Sequence, residues 1–258
     1  MHRFFVEKNQ IQGNRVTITG TDVNHIRNVL RMKEKDEITV SAGDNQEYTC
    51  YIEEITPEEV TAAVMYVQEN GLELPSRIYL FQGLPKGDKM ELIIQKAVEL
   101  GAYEIIPVAT KRCVVKLDAK KEASKLRRWN LISESAAKQA GRMAVPRVTG
   151  VMTFSEALSY AESLDIRLIP YELEKDMKKT KEIINSIVPG QSIGIFIGPE
   201  GGFAEEEVGQ ALEKGAVPIT LGKRILRTET AGFTVLSILM FTLEQEEEKE
   251  QGSGSISG

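Results

Sequence analysis

The sequence contains few of the residues that build metal sites and disulfides. Its 258 residues include two cysteines, Cys50 and Cys113, and two histidines, His2 and His25, which lie far apart along the chain. Four such scattered residues give neither a paired zinc-ligand spacing nor a disulfide framework, so we expect no metal. We predict that both cysteines are small buried hydrophobic residues without a chemical role.

Long apolar runs are also absent. No run reaches the roughly 18 residues that a transmembrane helix needs, although 41% of the residues are hydrophobic. The first ten residues, MHRFFVEKNQ, lack the apolar core and the small-residue cleavage site of a secretory signal. We therefore expect a cytoplasmic protein with no membrane partner.

Three common motifs of nucleotide binding and hydrolysis are missing. No GxGxxG follows a predicted strand, and the segment Gly83–Lys89 is one residue short of Walker A spacing and lacks Ser or Thr after its lysine. No GxSxG is present, and neither histidine is placed to act as the base of a catalytic triad. These absences argue against an ordinary Rossmann dinucleotide-binding protein, a nucleoside triphosphatase and a serine hydrolase.

Charge is distributed unevenly along the chain. The formal net charge is −6, but residues 111–147 contain 11 Lys and Arg against 3 Asp and Glu, a local balance of +8, so the remainder sums to −14. A basic patch in an acidic protein is the expected footprint of a nucleic-acid phosphate backbone. A solvated helix face would give the same pattern, and charge alone does not separate the two.

Two regions with different periodicity are predicted. Before residue 72, short β-forming segments at 15–18, 37–40, 48–52 and 60–64 alternate with turns and predict a small β-barrel. The break at 71–75, Gly-Leu-Glu-Leu-Pro, leads us to expect one domain over 1–72 and a second over 73–245. The acidic run and the Gly/Ser-rich end that follow predict a disordered tail over 246–258.

The second region has the pattern of a mostly parallel α/β sheet, because short apolar strands alternate with helical segments. Asp88 followed by Glu91 predicts a capping box that begins a helix, and Gly101 is expected to end it. Strands are predicted at 78–81, 104–108, 166–169, 193–197 and 217–221, and further helices near 120–140, 205–214 and 230–243.

Two predicted strands end in glycine. The strand 193–197 runs into Gly-Pro-Glu-Gly-Gly at 198–202, and the strand 217–221 runs into the loop 222–232. Glycine lets a backbone approach a ligand closely, and α/β sheets bind ligands beyond the carboxyl ends of their strands. Three glutamates at 205–207 open the next helix and disfavour a phosphate there. We therefore predict one composite site for a neutral or zwitterionic ligand.

At these motifs the sequence resembles a known family. The segments GPEGGF, LGKRILRTETA, MHRFF and LPKGDKMELIIQKAVELG, with His25 and the Val-Leu-Arg at 29–31, are similar to those of bacterial 16S ribosomal RNA uridine N3-methyltransferases. This family belongs to the knotted SPOUT superfamily, and the resemblance runs from Met1 to about Phe241. It implies a PUA-like β-barrel for RNA, followed by an α/β methyltransferase domain with a C-terminal trefoil knot.

The resemblance also implies the reaction and the partners. The methyl donor would be S-adenosylmethionine, and the substrate would be 16S RNA or the small ribosomal subunit, methylated at N3 of uridine 1498. The family acts as a homodimer, and the apolar helix 233–241 would fit a dimer interface because it must be covered on every side. Burial of this helix within one subunit is the alternative.

Site residues follow from the matching motifs. Cofactor contacts are implied for residues at three strand ends: Leu168, Pro170, Tyr171, Glu172, Gly198, Pro199, Glu200, Gly201, Gly202, Leu221, Gly222, Ile225, Leu226 and Arg227. Because uracil N3 carries a proton, methyl transfer needs a base or a cation that stabilises the developing charge. Glu200 and Glu229 are candidates for the base and Arg227 for the cation, with a structural salt bridge among them as an equal alternative.

RNA contacts are expected from cations in both regions. The candidates are Arg3, His25, Arg27, Arg31, Lys111, Arg112, Lys125, Arg127, Arg128 and Arg142. Trp129 is a candidate for base stacking, although a core position is more usual for tryptophan.

Two other functions remain open from the sequence. A knotted methyltransferase could act on transfer RNA or on a ribose 2′-hydroxyl, and a non-catalytic ribosome-assembly factor could keep a vestigial cofactor pocket. Cofactor binding distinguishes the assembly factor from the enzymes. Mapping the modified nucleoside distinguishes the enzymes from one another.

Overall fold

The chain forms two separate β-sheets in a computed structural model that describes residues 1–44, 46–69 and 72–244. The first sheet uses residues before 70 and the second uses residues after 76. The predicted change of periodicity therefore corresponds to a change of sheet. Gly71 of the predicted break and the predicted tail over 246–258 lie outside the described residues. Nowhere in the described ranges is a helix both long and apolar enough to cross a membrane.

Six strands make up the first sheet: β1 (His2–Phe5), β2 (Ile11–Gln12), β3 (Arg15–Thr19), β4 (Glu37–Ser41), β5 (Gln46–Ile55) and β6 (Glu59–Glu69). Their order is β1-β4-β5-β6-β3-β2, and only the β1–β4 pair is parallel. Phe4, Val16, Ile38 and Ile52 are buried in its core. All four predicted strands are confirmed. A short helix, α1 (Thr21–Asn24), and a π-helical turn (His25–Val29) follow β3.

Seven parallel strands make up the second sheet: β7 (Arg77–Gly83), β8 (Ala102–Ala109), β9 (Arg147–Val148), β10 (Met152–Thr153), β11 (Ile166–Pro170), β12 (Ser192–Ile197) and β13 (Val217–Ile219). The order is β10-β8-β7-β12-β11-β13, and β9 also pairs with β8. The five predicted strands are confirmed. The two-residue strands β9 and β10 are too short to produce a periodic signal and were not predicted.

The helices of this region are α2 (Lys89–Glu99), α3 (Ala119–Ala140), α4 (Phe154–Ala161), α5 (Met177–Asn185), α6 (Glu205–Glu213) and α7 (Thr228–Leu243). The four predicted helices are confirmed, whereas α4 and α5 were missed. A readable signal for α4 existed, because Thr153 and Glu156 form a capping box, with the Glu156 carboxylate accepting from the Thr153 N–H at 2.8 Å.

Strand β7 separates two cores. Ile78 and Leu80 point to the core that α2, α3, α5 and α7 cover, whereas Phe81 points to the core under α4 and α6, where it stacks on Phe196 at 4.4 Å. This alternation is the period-2 pattern of a strand buried on both faces. Both faces are therefore closed by helices, and the ends of the strands are where a ligand can approach.

Three local expectations are wrong. Asp88 does not cap α2, because its φ of −97° and ψ of 11° are not those of an extended N-cap, and the Glu91 carboxylate pairs instead with Arg128. Cys113 is only partly buried, unlike the buried Cys50. The alternative that helix 233–241 is buried within one subunit is also wrong, as described next. The expected end of α2 is confirmed, since Gly101, at a φ of +86°, follows the last turn.

Helix α7 has one buried side and one exposed side. Val235, Leu236 and Leu239 pack into the core, but Phe241 is 85% exposed and Ile238 is 40% exposed. Within one chain, a side of this apolar helix therefore remains uncovered.

Candidate functional site

The turn after β12 is the centre of the candidate site. The Gly202 N–H donates to the Pro199 carbonyl at 2.8 Å, and Gly202 has a φ of +68°, which L side chains rarely adopt. A Cβ on Gly198 would lie 3.0 Å from the Gly202 carbonyl carbon. The turn therefore folds back on itself more tightly than larger residues would allow. We call residues 198–202 the glycine turn.

The end of β7 supports the glycine turn from the neighbouring strand. A Cβ on Gly83 would lie 2.7 Å from Pro199 N and Cδ, so the two backbones are in direct contact. Gln82 is fully buried, and its amide donates to the Thr228 hydroxyl at 2.8 Å. The Thr228 hydroxyl in turn donates to the Gly198 carbonyl at 2.6 Å. Three segments that are distant in sequence meet at this point.

Lys89 lies between the two candidate bases. Its Nζ is 3.1 Å from Glu200 Oε1 and 3.4 Å from Glu229 Oε2. Glu200 also accepts from the Lys86 backbone N–H at 3.1 Å. Burial raises the pKa of Glu200, but backbone N–H groups and the Lys89 ammonium outweigh it, so this pKa lies below its ordinary value. The hydrogen bond to Glu200 raises the pKa of Lys89.

Glu229 is held less completely than Glu200. Its side chain is 14% exposed, and its Oε2 atom is buried without a hydrogen bond of good geometry from any described residue, although Lys89 lies near it. In the described part of the chain, Glu200 thus accepts from both the Lys86 N–H and Lys89, whereas Glu229 contacts Lys89 alone. Arg227, the residue before α7, is exposed and contacts no carboxylate in the described part of the chain.

Backbone N–H groups at the start of α6 already donate to a carboxylate of the protein. The Glu207 carboxylate accepts from the Lys111 N–H at 2.7 Å and from the Ala204 N–H at 2.8 Å. The Arg112 guanidinium donates to the Gly201 carbonyl at 2.9 Å, which links the basic segment to the glycine turn. Because a carboxylate occupies these N–H groups, the helix start fits a ligand without phosphate.

The other two expected cofactor segments flank the glycine turn. Strand β11 pairs with β12 and β13, and the Tyr171 N–H donates to the Ile219 carbonyl at 3.0 Å, so both strand ends lie beside the turn. Leu168 is fully buried, and its side chain packs in the core rather than facing a ligand. In the loop after β13, Gly222 has a φ of +106°, and Ile225 is 81% exposed. The half-buried members of these segments are Pro170, Tyr171, Leu221 and Leu226, and Glu172 is exposed.

The expected RNA cations fall into two groups. His25, Arg27 and Arg31 are exposed on the segment after β3, and Arg31 adopts a φ of +54°, which is unusual for a residue other than glycine. Arg3 instead pairs with Glu47 and is mostly covered.

In the basic segment, most expected RNA cations contact protein groups. The pairs are Lys111 with Glu206, Lys125 with Asp88 and Glu91, and Arg128 with Glu91. Arg127 is exposed, and no carboxylate in the described ranges lies within ion-pair distance of it. An exposed pair leaves a cation accessible, so these contacts do not remove the residues from an interface.

Two expected RNA contacts are wrong. Arg142 is 6% exposed, and its guanidinium binds the Glu73 carboxylate at 2.9 Å and the carbonyls of Val98 and Ala102 at 2.8 and 3.1 Å. It therefore joins the segment before β7 to the loop after α3. Trp129 is 3% exposed in the core and cannot stack on a base. Its more usual core position is confirmed.

Four residues of the site were missed by sequence reasoning. Lys86 and Lys89 gave no local signal, because their partners Glu200 and Glu229 lie more than 100 residues away in sequence. Gln82 carried a usable signal, because it is a polar residue inside an apolar strand. Thr228 carried none, since its partners lie 30 and 146 residues away.

Fold and site together define a class of protein: a parallel α/β sheet with a composite ligand site at its strand ends, preceded by a separate small β-sheet. A family model described as RNA methyltransferase domain matches residues 72–240, and one described as RNA methyltransferase PUA domain matches residues 18–65.

Relatives agree with these matches over nearly the whole chain. Ribosomal RNA small subunit methyltransferase E from Bacillus subtilis (strain 168) is 40% identical over 95% of this chain and 98% of its own length. The structure of that enzyme from Neisseria gonorrhoeae, bound to S-adenosyl methionine, is 33% identical, with a TM-score of 0.79 over 93% of this chain and 97% of its own. The structure of a Legionella pneumophila methyltransferase with bound SAM is 33% identical to this chain. Its TM-score is 0.81, over 93% of this chain and 96% of its own. The chain therefore belongs to the ribosomal RNA small subunit methyltransferase E family of RNA methyltransferases.

Proposed function

We propose that this protein methylates N3 of a uridine in 16S ribosomal RNA, with S-adenosylmethionine as the methyl donor. The observation that carries the proposal is the hydrogen bond that joins the glycine turn to Thr228 at the start of α7. The next residue, Glu229, has a carboxylate oxygen without a hydrogen bond of good geometry from a described residue. The names of the Bacillus relative and of the Neisseria structure support the RNA and the cofactor. The N3 position and uridine 1498 rest on the sequence resemblance.

The residues at the strand ends fit S-adenosylmethionine. Adenosine and a zwitterionic methionine need backbone polar groups and apolar cover rather than a phosphate cradle. Gly222 leaves its backbone open, because the nearest atom to a Cβ there is the Met177 methyl at 4.0 Å, and Ile225 offers an exposed apolar side chain. When bound, S-adenosylmethionine supplies a methyl group on a positively charged sulfur. We assign its contacts to Leu168, Pro170, Tyr171, Glu172, Gly198, Pro199, Glu200, Gly201, Gly202, Leu221, Gly222, Ile225, Leu226 and Arg227.

Glu229 is the proton acceptor in this proposal. Uracil N3 must lose its proton before or during attack, and Glu229 Oε2 has Lys89 Nζ at 3.4 Å as its nearest cation and no hydrogen bond of good geometry from a described residue. Glu200 is less suited to this role, because the Lys86 N–H and Lys89 occupy its oxygens and its lowered pKa makes it a weaker base. Arg227 is exposed two residues before Glu229 in sequence, and in this proposal it stabilises negative charge on the uracil oxygens.

RNA docks across both sheets in this proposal. The interface uses His25, Arg27 and Arg31 on the segment after β3, and Lys111, Arg112, Lys125, Arg127 and Arg128 on the basic segment. Arg3 contributes less, because Glu47 already neutralises it. The target uridine must leave its stack to reach Glu229. Residues 1–72 thus form an RNA-binding domain, and residues 73–245 form the catalytic domain.

A homodimer is part of the proposal. The exposed Phe241 and Ile238 on α7 form an apolar surface that a second copy would cover. After the loop that follows β13, Thr228 at the start of α7 is hydrogen-bonded to Gln82 of β7 and to Gly198 after β12. This return of the chain to β7 and β12 fits the trefoil knot of the family. We place the protein in the cytoplasm, where its ribosomal substrate is made.

Mapping the product tests the function. The protein is incubated with S-adenosylmethionine and either small ribosomal subunits or free 16S RNA, and modified nucleosides are located by mass spectrometry. A single 3-methyluridine supports the proposal, and use of only one substrate shows whether the assembled subunit is needed. A methylated ribose or another base would contradict it. Absence of cofactor binding in calorimetry would favour an assembly factor.

A further inference from the structure

A buried hydrogen-bond chain runs from β7 to the glycine turn. The Gln82 amide nitrogen donates to the Thr228 hydroxyl and to the Gly83 carbonyl at 2.8 and 3.0 Å. The Thr228 hydroxyl has one hydrogen, and the Gly198 carbonyl accepts it at 2.6 Å. The direction of the chain is therefore fixed as Gln82 to Thr228 to Gly198.

Stability alone does not account for a glutamine at this position. Gln82 is fully buried at the end of an apolar strand, and its Oε1 atom has no hydrogen-bond partner among the described residues. Leaving a buried acceptor unpaired is unfavourable, and a leucine of similar size would avoid that penalty. What leucine cannot supply is the donor to Thr228.

We infer that Gln82 and Thr228 are positioning residues that hold the glycine turn against the start of α7. Thr228 lies between Arg227 and Glu229 in sequence, so a bond from Thr228 to Gly198 fixes the turn and both candidate catalytic groups relative to each other. The role in cofactor binding rests on the proposed function, whereas the ordering of the turn does not.

The ordering of the turn is tested in the ligand-free protein. Thr228→Val keeps the shape of the side chain and removes the hydroxyl, whereas Thr228→Ser keeps the hydroxyl. Hydrogen exchange of a peptide over 198–208 is compared with that of β3, which lies in the other sheet. We expect exchange in the 198–208 peptide to rise about tenfold or more in Thr228→Val and to stay near wild type in Thr228→Ser. Unchanged exchange in Thr228→Val would overturn the inference.

Gln82→Leu provides a second route if Thr228→Val folds poorly: by itself it should raise exchange in the 198–208 peptide, and unchanged exchange would overturn the role of Gln82. Because both residues act in one chain, the double variant should lose no more turn protection than Thr228→Val alone. Additive losses would show two independent effects and contradict the inference.

Calorimetry with S-adenosylmethionine links the chain to the cofactor. We expect the Kd to rise about tenfold in Thr228→Val and less than threefold in Thr228→Ser. An unchanged Kd in Thr228→Val contradicts positioning for the cofactor. If the wild-type protein itself binds no cofactor, the proposed function fails, and the exchange experiment still decides the positioning role.

Discussion

Glu229→Gln is the substitution that most directly tests the proposed proton transfer. It keeps the size of the side chain, replaces the anionic carboxylate with a neutral amide, and so removes the group that would accept the proton. Lys89 loses its contact with Glu229 at 3.4 Å but keeps Glu200 at 3.1 Å, so no ammonium group is left unpaired. The free energy of unfolding should therefore change by no more than about 1 kcal/mol.

The expected effect on turnover is much larger. A positioned general base contributes about 10²- to 10⁴-fold to a rate, which corresponds to about 2.7–5.4 kcal/mol of activation free energy. Cofactor affinity should stay within about twofold of wild type, because Glu229 is not among the residues assigned to the cofactor. The substitution should thus separate catalysis from binding.

Single-turnover methylation of small ribosomal subunits with labelled S-adenosylmethionine measures this effect. Glu205→Gln is the matched control, since Glu205 is an exposed glutamate at the start of α6. Turnover of Glu229→Gln within threefold of this control would refute the assignment.

Three further predictions concern the fold around the site. Because the pKa of Glu200 is lowered in the folded state, its stabilising contribution is present above the unfolded value of about 4.3 and is lost as pH falls through the folded pKa; thermal melting should show Glu200→Gln destabilised at pH 7, with the difference from wild type shrinking as the pH falls below about 4. Gly83→Ala should cost about 1–3 kcal/mol in urea unfolding, because its Cβ meets Pro199 at 2.7 Å. Gly209→Ala, with open space around it, should not be destabilised, and equal losses would contradict the contact argument. Burial raises the pKa of Cys50 to about 12, so iodoacetamide at pH 8 should label it only after unfolding, and labelling of the folded protein would contradict its burial.

The sequence was informative where a residue's local pattern determines its environment. The apolar strands alternating with helices predicted the second sheet, and the glycines at 198–202 predicted its ligand site, because positive φ and close backbone contact depend on the residue itself. Gly202 and Gly222 have φ values of +68° and +106°.

Pairing between distant residues could not be predicted in the same way. Glu200 and Glu229 looked equivalent as candidate bases, and only the position of the Lys86 N–H and of Lys89 distinguishes them. Arg142 likewise had the charge expected of an RNA contact, yet Glu73 and two carbonyls bury it. A sequence gives the charge of a side chain but not its solvent exposure.

The same limit changes the meaning of the basic segment. Its local balance of +8 is reduced because carboxylates from other segments pair with its cations, namely Asp22, Glu73, Asp88, Glu91 and Glu206. RNA affinity grows with the number of phosphates neutralised, so this pairing lowers the electrostatic contribution of the basic segment. In the first region, His25, Arg27 and Arg31 are exposed. An RNA that contacts these cations as well as the basic segment would have more phosphates neutralised than the basic segment neutralises alone, so in the proposed interface the first region adds affinity as well as orientation.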